Sequence, residues 1–156
     1  MTEKEITGLV KTIVDSMPGV SINLNQANAL IEAVCSRAAE MGVKAVVAVS
    51  NKYTNPISVQ CMDDAYIASY DIAVNKAYTV TALKMPTSTL KELAAPGGSL
   101  YGIQFTNSSK IVIFGGGVPL YNKSGQIVGG LGVSGGSEEE DTALAEFGGN
   151  WFTEKF

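Results

Sequence analysis

A glycine-rich stretch, FGGGVPLYNKSGQIVGGLGVSGGSEEED, covers residues 114–141 and is the segment best suited to bind a ligand through its backbone. Gly130, Gly132 and Gly135 fit the pattern G-x-G-x-x-G, which brings backbone close to the pyrophosphate of a dinucleotide. That chemistry also needs a second parallel strand and an acidic residue about 20 positions further on. Only 21 residues follow Gly135, and they read as one helix and a tail, so we expect no dinucleotide site. A P-loop motif is also absent.

Two short segments of this stretch remain as candidate ligand contacts. Gly115-Gly116-Gly117 could bring backbone against the face of a flat ligand, because glycine has no side chain to hold it away. Ser134-Gly135-Gly136 precedes a predicted helix, and free N–H groups at a helix start can bind an anion. The alternative is that these glycines only let the backbone bend and the elements pack closely, and composition alone favours it.

Lys76 is the candidate charged group. It lies beside a ridge of small side chains at spacing four on a predicted helix, which favours close packing and places the lysine near protein rather than in water. Three roles are open: binding a ligand carboxylate, acting as a general acid or base with a pKa lowered by desolvation, or pairing with Asp71 or Asp141. The ridge consists of Ala65, Ser69, Ala73, Ala77 and Thr81.

The residue types that the sequence lacks exclude several classes of function. There is no histidine, which excludes Ser-His-Asp and Cys-His catalysis and imidazole metal ligands. The net charge is −4 and the basic residues are scattered, which argues against nucleic acid as a partner. No apolar run approaches the roughly 20 residues that span a bilayer, and the N-terminus lacks the features of a signal peptide, so we expect a cytoplasmic protein.

The remaining composition indicates a globular domain that assembles with itself. Charged residues make up only 17% of the chain, which favours a surface partly covered in a homo-oligomer. Cys35 and Cys61 fit neither a disulfide framework nor a zinc site, and their apolar surroundings predict buried free thiols.

Helical periodicity predicts an N-terminal amphipathic extension, residues 1–19, and a single domain, residues 20–156. Thr2 and Glu5 form a capping box for the first helix, which Pro18-Gly19 ends, either as a hinge or as a stop before the helix docks on its own domain. Further helices are predicted over Leu24–Met41 with Gly42 after its end, over Ala65–Lys84 capped by Asp63 or Asp64, after Pro86 capped by Thr87 or Thr89, and after the cap Ser137.

Five strands are predicted between these helices. The links between neighbouring strands are short, which demands antiparallel pairing because parallel neighbours need a longer crossover. We therefore predict an α+β fold with a five-stranded, mostly antiparallel sheet and packed helices. The strands are Val43–Ser50, Ile57–Cys61, Ile111–Phe114, Val118–Tyr121 and Ile127–Val133.

Several motifs together resemble the GlcG/HbpS haem-binding family, and most closely the C-terminal domain of PduO-like proteins. They are Met-Asp-x-Ala, Asn-Lys-Ala, Leu-Tyr-Gly, Gly-Gly-Gly-x-Pro and Gly-Val-Ser-Gly-Gly, within residues 22–147. The resemblance implies a profilin-like fold, a homo-oligomer and binding of haem or a related tetrapyrrole. PduO-type relatives accompany cobalamin-dependent diol metabolism and bacterial microcompartments, and the first helix resembles the encapsulation helices of microcompartment cargo. Residues 1–19 are therefore a candidate contact for a shell or cargo protein.

The resemblance makes a non-enzymatic, ligand-binding accessory protein the leading hypothesis. The expected pocket lies between Lys76, the Thr87 region and Gly115–Gly117, with Lys76 meeting a haem propionate. Without histidine, an iron ligand would have to be Tyr, Met, Cys or Lys, or a weakly coordinating hydroxyl group. The alternatives are a small enzyme that uses Lys76 as acid or base, and a structural accessory protein without a ligand.

Overall fold

The computed structural model describes residues 1–17 and 19–156. Over these residues the chain forms five α-helices, four β-strands and two 3-10 turns, Ile103–Phe105 and Asn107–Ser109. The helices and strands are α1 Glu3–Ser16, α2 Leu24–Glu40, β1 Val46–Asn51, β2 Pro56–Cys61, α3 Ser69–Leu83, α4 Thr87–Ala94, β3 Gly117–Tyr121, β4 Ile127–Ser134 and α5 Glu138–Lys155.

Side-chain caps define the starts of three helices. The capping box of Thr2 and Glu5 opens α1 as predicted, and Ser137 with Glu140 opens α5 in the same way. Asn23 with Gln26 does so for α2. The predicted capping of the two other helices is wrong, because α3 and α4 begin after Ala68 and Pro86 without a side-chain cap.

The segment before α3 differs from the prediction for a local reason. Asp64 has a left-handed backbone with φ of 63°, which a continuing right-handed helix cannot contain. The N–H groups of Ala65 and Ser69 donate to carbonyls three residues back, so these residues form turns instead of the first turns of a helix. Tyr66 and Ile67 consequently lie in a loop.

The sheet is antiparallel throughout, in the order β2-β1-β4-β3. The α+β class and the antiparallel pairing are confirmed, but the prediction of five strands is wrong because residues 111–114 form no strand. Their apolar pattern has another cause: Ile111 is buried, and the Val112 N–H donates to Thr79 Oγ1 on α3 at 3.0 Å rather than to a neighbouring strand. The β3 strand is therefore an edge strand. Pro119 has no N–H group to donate, and an edge strand tolerates a proline because it has a neighbour on one side only.

The sheet lies between two layers of helices. In β1, Val47 and Val49 belong to the large hydrophobic core with α2 and α5, whereas Val46 and Ala48 contact α3 on the opposite face. This alternation is what a strand buried on both faces requires.

The glycines of β4 allow α3 to lie directly on the sheet. A Cβ atom at Gly130 would lie 2.5 Å from the Ala77 carbonyl oxygen, and one at Gly132 would collide with the Ala73 carbonyl oxygen. The small residues of α3 and Gly130 and Gly132 of β4 thus form one close contact that involves the α3 backbone. Close packing, rather than a ligand, explains these two glycines.

The α1 helix lies outside this core. Every side chain of α1 that the structure describes is exposed. Lys11 Nζ lies 5.6 Å from the centre of the Phe156 ring, and the Ser16 carbonyl accepts from Gln126 Nε2 at 3.4 Å. The predicted hinge includes Pro18, which lies outside the described residues, so the division at residue 19 stays a prediction.

The two cysteines differ from each other in exposure. Cys35 is half-buried on α2, and burial raises the pKa of its thiol. Cys61 is exposed, so the prediction of a buried thiol is wrong for this residue, because β2 is an edge strand.

No helix over the described ranges combines the length and apolar character needed to cross a bilayer.

The contact between α3 and β4 predicts that Gly132→Ala lowers the free energy of unfolding by about 1–3 kcal/mol, because the added Cβ meets backbone atoms of α3 that have no room to move. Gly8→Ala is the control, since a Cβ there meets nothing within 4 Å. Urea unfolding monitored by tryptophan fluorescence measures both variants. A Gly132→Ala protein as stable as the parent would contradict the packing described for α3.

Candidate functional site

A buried ion pair joins three elements at one end of the sheet. Lys76 on α3 is fully buried, and its Nζ donates to the Val133 carbonyl oxygen at 2.7 Å and to Asp141 Oδ2 at 3.2 Å. Asp141 on α5 also accepts from the Gly136 N–H through Oδ1 at 2.9 Å. Of the three roles open for Lys76, the structure therefore shows pairing with Asp141.

Burial shifts both titrating groups of this pair toward their neutral forms. Desolvation lowers the pKa of Lys76 and raises the pKa of Asp141, and in each case it outweighs the attraction between them. The Phe114 ring, whose centre lies 5.0 Å from Lys76 Nζ, adds a cation–π contact on the side facing solvent.

Gly115–Gly117 packs onto this pair. Gly116 has φ of +110°, and a Cβ there would lie 2.5 Å from Lys76 Nζ. The Gly117 N–H donates to the buried Thr87 Oγ1 at 2.9 Å, and the Gly115 N–H donates to Glu138 Oε1 at 2.9 Å. The segment is therefore held by protein contacts on its inner side, and Thr87 serves as one of them.

Ser134–Gly136 has partners within the chain as well. Ser134 Oγ donates to Ser69 Oγ at 3.1 Å, and the Gly136 N–H is taken by Asp141. The Ser137 N–H donates to Glu140 Oε2 at 2.8 Å. At the start of α5, the chain's own carboxylates thus occupy two N–H groups that an anion would otherwise use.

An open cleft of about 330 Å³ lies at this end of the sheet, and we refer to it as the Tyr66–Phe114 cleft. Its apolar and aromatic part comes from Tyr66, Ala68, Ile72 and Phe114. The polar part consists of Ser69, Ser134, Gly135, Gly136, Glu138 and Asp141.

The cleft contains some predicted site residues and not others. Ser134, Gly135 and Gly136 line it, whereas Lys76, Thr87 and Gly115–Gly117 do not. The expected pocket between those last residues is filled by their mutual contacts.

The other lining residues of the cleft, among them Tyr66, Phe114 and Glu138, are not among the predicted site residues. The sequence predicts Phe114 in a strand and Tyr66 in a helix, whereas both residues are exposed and line the cleft. The one signal available was that Tyr66 lies outside the small-residue ridge of the predicted helix.

A second groove adjoins the cleft, and its charged lining residues are Lys44, Asp64 and Glu140. It has a volume of about 320 Å³ and shares Tyr66, Gly135 and Gly136 with the cleft. Lys44 also lines it, and its Nζ lies 3.3 Å from Asp64 Oδ2 in an exposed ion pair, which holds the lysine only weakly.

Two other features do not compete with this site. A wider groove of about 660 Å³ between α4 and α5 is lined by four glutamates and a single lysine, so its lining is acidic overall. Within residues 1–17 and 19–156, no group of three or more His, Cys, Asp or Glu side chains is placed to hold a metal ion.

Comparison with known proteins assigns the family. The family model described as haem-degrading protein HbpS-like matches residues 22–149. This chain belongs to the HbpS-like family. An uncharacterised 15.0 kDa protein of Citrobacter freundii, from the dhaT-dhaS intergenic region, is 42% identical over 134 residues, which are 86% of this chain and 94% of that protein.

The corrinoid adenosyltransferase PduO of Citrobacter freundii is also similar to this HbpS-like chain. The two are 34% identical over 137 residues, or 88% of this chain, but these span only 41% of the length of PduO.

Solved structures agree with the HbpS-like assignment. Protein ORFY of Klebsiella pneumoniae has a TM-score of 0.84 at 39% identity, covering 88% of this chain and 94% of that one. A PduOC:haem complex has a TM-score of 0.80 at 34% identity, covering 84% and 94%. A double mutant of HbpS from Streptomyces reticuli has a TM-score of 0.75 at 26% identity, covering 86% and 89%.

The buried pair predicts that Lys76→Met destabilises this HbpS-like domain by about 3–5 kcal/mol, because it leaves the Asp141 carboxylate buried without its cation. The matched double variant Lys76→Met/Asp141→Leu should recover most of that loss near neutral pH, since it removes both desolvated charges. Equal instability of the single and double variants would show that the loss does not arise from the unpaired charge.

The pH dependence of the same comparison has a definite sign. Because the folded-state pKa of Lys76 lies below 10.5, the unfolded chain holds this proton more tightly, and stability from this group rises as pH increases toward 10.5. The double variant lacks that rise. The parent protein should therefore gain stability relative to the double variant between neutral and alkaline pH, as measured by urea unfolding at each pH.

Proposed function

We propose that this chain is a cytoplasmic, homo-oligomeric accessory protein that binds haem or a related tetrapyrrole in the Tyr66–Phe114 cleft. The observation that carries the proposal is an open cleft with aromatic walls beside a glycine backbone. It occurs in a chain 34% identical to a protein whose structure is that of a haem complex. Bound haem would supply an iron centre that can take a further ligand or change its oxidation state.

The chemistry of the cleft suits a flat, largely apolar ligand. Tyr66, Ile72 and Phe114 offer apolar surface, and Gly135 and Gly136 have no side chains to obstruct a ring. A cleft of about 330 Å³ is at the small end of ligand sites, so part of a macrocycle would remain at the protein surface.

The two carboxylates in the cleft do not repel an anionic ligand strongly. Asp141 is paired with Lys76, and Glu138 Oε2 lies 2.6 Å from Lys91 Nζ. These pairs offset both negative charges, which leaves the cleft open to a ligand that carries propionates.

Lys44 replaces Lys76 as the proposed partner of a propionate. Lys76 is enclosed behind the cleft, whereas the side chain of Lys44 is 59% exposed in the adjoining groove. In this proposal Lys76, Thr87 and Gly115–Gly117 contribute to binding by holding Phe114 and the start of α5 in position.

Ferric haem added to the full chain should produce a Soret change that saturates at one equivalent per chain. Lys44→Gln should weaken binding by up to about fivefold, because an exposed ion pair contributes up to about 1 kcal/mol. Lys123→Gln is the control, since Lys123 is an exposed lysine in the turn between β3 and β4, outside both grooves.

Two results would count against this proposal. A response that rises without saturating would reject the haem site itself. Equal weakening by Lys44→Gln and Lys123→Gln would reject Lys44 as the propionate partner and indicate only a general effect of charge.

We propose further that α1 attaches this protein to a microcompartment shell or cargo protein. Ile6, Leu9, Val10, Ile13 and Val14 are all about half exposed, at spacings that bring them to one side of the helix. An apolar stripe of this kind is typical of a helix that binds a groove in a partner.

Self-association is supported by other exposed apolar residues: Ile67, Tyr70, Tyr101 and Phe105.

Deletion of residues 1–19 should shift the thermal midpoint by no more than about 3 °C, because the contacts of Lys11 and Ser16 with the domain are weak. Light scattering should give the same number of subunits for the parent and the deletion variant. In a pull-down with purified shell proteins, the parent should be retained, whereas the deletion variant and Ile13→Gln should not. Thr12→Gln is the control, and loss of folding on deletion would contradict the attachment role.

A further inference from the structure

The Tyr66 phenol differs from the other oxygen-bearing side chains of the cleft in having no partner among the described contacts. Asp141 is paired with Lys76, and Glu138 is paired with Lys91. Ser69 and Ser134 are hydrogen-bonded to each other. Tyr66 is 73% exposed, and its backbone carbonyl accepts from the Ser69 N–H, but its phenol oxygen takes part in no hydrogen bond that the structure describes.

The position of Tyr66 suits a ligand that extends across both grooves. Tyr66 lines the Tyr66–Phe114 cleft and also the groove that contains Lys44. A macrocycle in the cleft with a propionate near Lys44 would have to pass this residue. Tyr66 belongs to the loop before α3, which also contains the left-handed Asp64.

Over the part of the chain that the structure describes, no Met, Cys or Lys side chain lines the cleft itself. The sequence contains no histidine. Met62 Sδ accepts from the Ala45 N–H at 3.4 Å, Cys35 packs against the large core, and Cys61 is on the edge strand β2. None of these three lines the cleft, and Lys76 is enclosed.

We propose that Tyr66 is the axial ligand of ferric haem in this protein, an inference that rests on the haem-binding function proposed above. Coordination forms a bond between the phenol oxygen and Fe(III), and the O–H proton is released to solvent. Iron keeps its oxidation state in this step. Tyrosine serves as the protein ligand to haem iron in catalase, so the chemistry is established for this residue type.

This ligation has consequences that a merely aromatic wall would not have. Because a proton leaves when the bond forms, ferric haem should bind more tightly as pH rises. The anionic oxygen also favours ferric over ferrous iron, so reduction should weaken the complex.

The test uses the full chain, ferric haem, and the variants Tyr66→Phe and Tyr70→Phe. The first keeps the ring and removes only the oxygen. Tyr70 is the control because it is a half-exposed tyrosine four residues away that does not line the cleft. Resonance Raman and electron paramagnetic resonance spectra should show a high-spin ferric phenolate in the parent and in Tyr70→Phe. Tyr66→Phe should lack the phenolate bands and bind at least about tenfold more weakly.

The outcomes separate this inference from the function on which it rests. Saturable haem binding with identical spectra in the parent and Tyr66→Phe would overturn the ligand assignment and leave the haem-binding proposal standing. Absence of saturable binding in the parent would overturn both. If the phenolate bands disappear in Tyr70→Phe instead, the iron ligand is Tyr70, and the inference about Tyr66 is overturned.

Discussion

The Lys76–Asp141 pair is the interaction on which this end of the molecule depends. The Lys76 ammonium group contacts β4 through the Val133 carbonyl and the start of α5 through Asp141. Gly116 lies directly against the same ammonium group. Two charges removed from water cost free energy, and only their close contact and additional hydrogen bonds offset that cost. The arrangement therefore fixes one geometry for three elements, and it is that geometry which leaves the cleft open beside Phe114.

The residues exposed to a ligand in the cleft differ from the buried residues around it. Lys76 and Thr87 are buried, and each makes a hydrogen bond to a backbone group, Lys76 to the Val133 carbonyl and Thr87 to the Gly117 N–H. The groups available to a ligand are an exposed tyrosine, an exposed phenylalanine, a surface lysine and glycine backbone. A flat ligand with carboxylates at its edge matches that set, because apolar contact and weak ion pairing are what these groups provide.

Local patterns were sufficient to predict much of the fold. The caps at Thr2 and Ser137 and the hairpin between β3 and β4 depend on residues close in sequence. The small-residue ridge indicated that Lys76 lies near protein, but its pairing with Asp141 was one of several open roles, because the two residues are far apart in sequence. Residues 111–114 were misassigned because an apolar run does not reveal where its N–H groups donate, and that of Val112 meets Thr79. Tyr66 could not be predicted as a cleft residue, since its position depends on a left-handed turn at Asp64 and on the distant arrival of Phe114.

The contact between α3 and β4 also constrains how this sequence can diverge. At most helix–sheet interfaces, a larger residue on one side can be accommodated by a smaller one on the other. Here a side chain at Gly132 would meet the carbonyl oxygen of Ala73, which is present whatever residue occupies that position. No compensating substitution on α3 can make that space. Gly132 should therefore remain glycine as the sequence diverges, because no change in the side chains around it makes room for a larger residue.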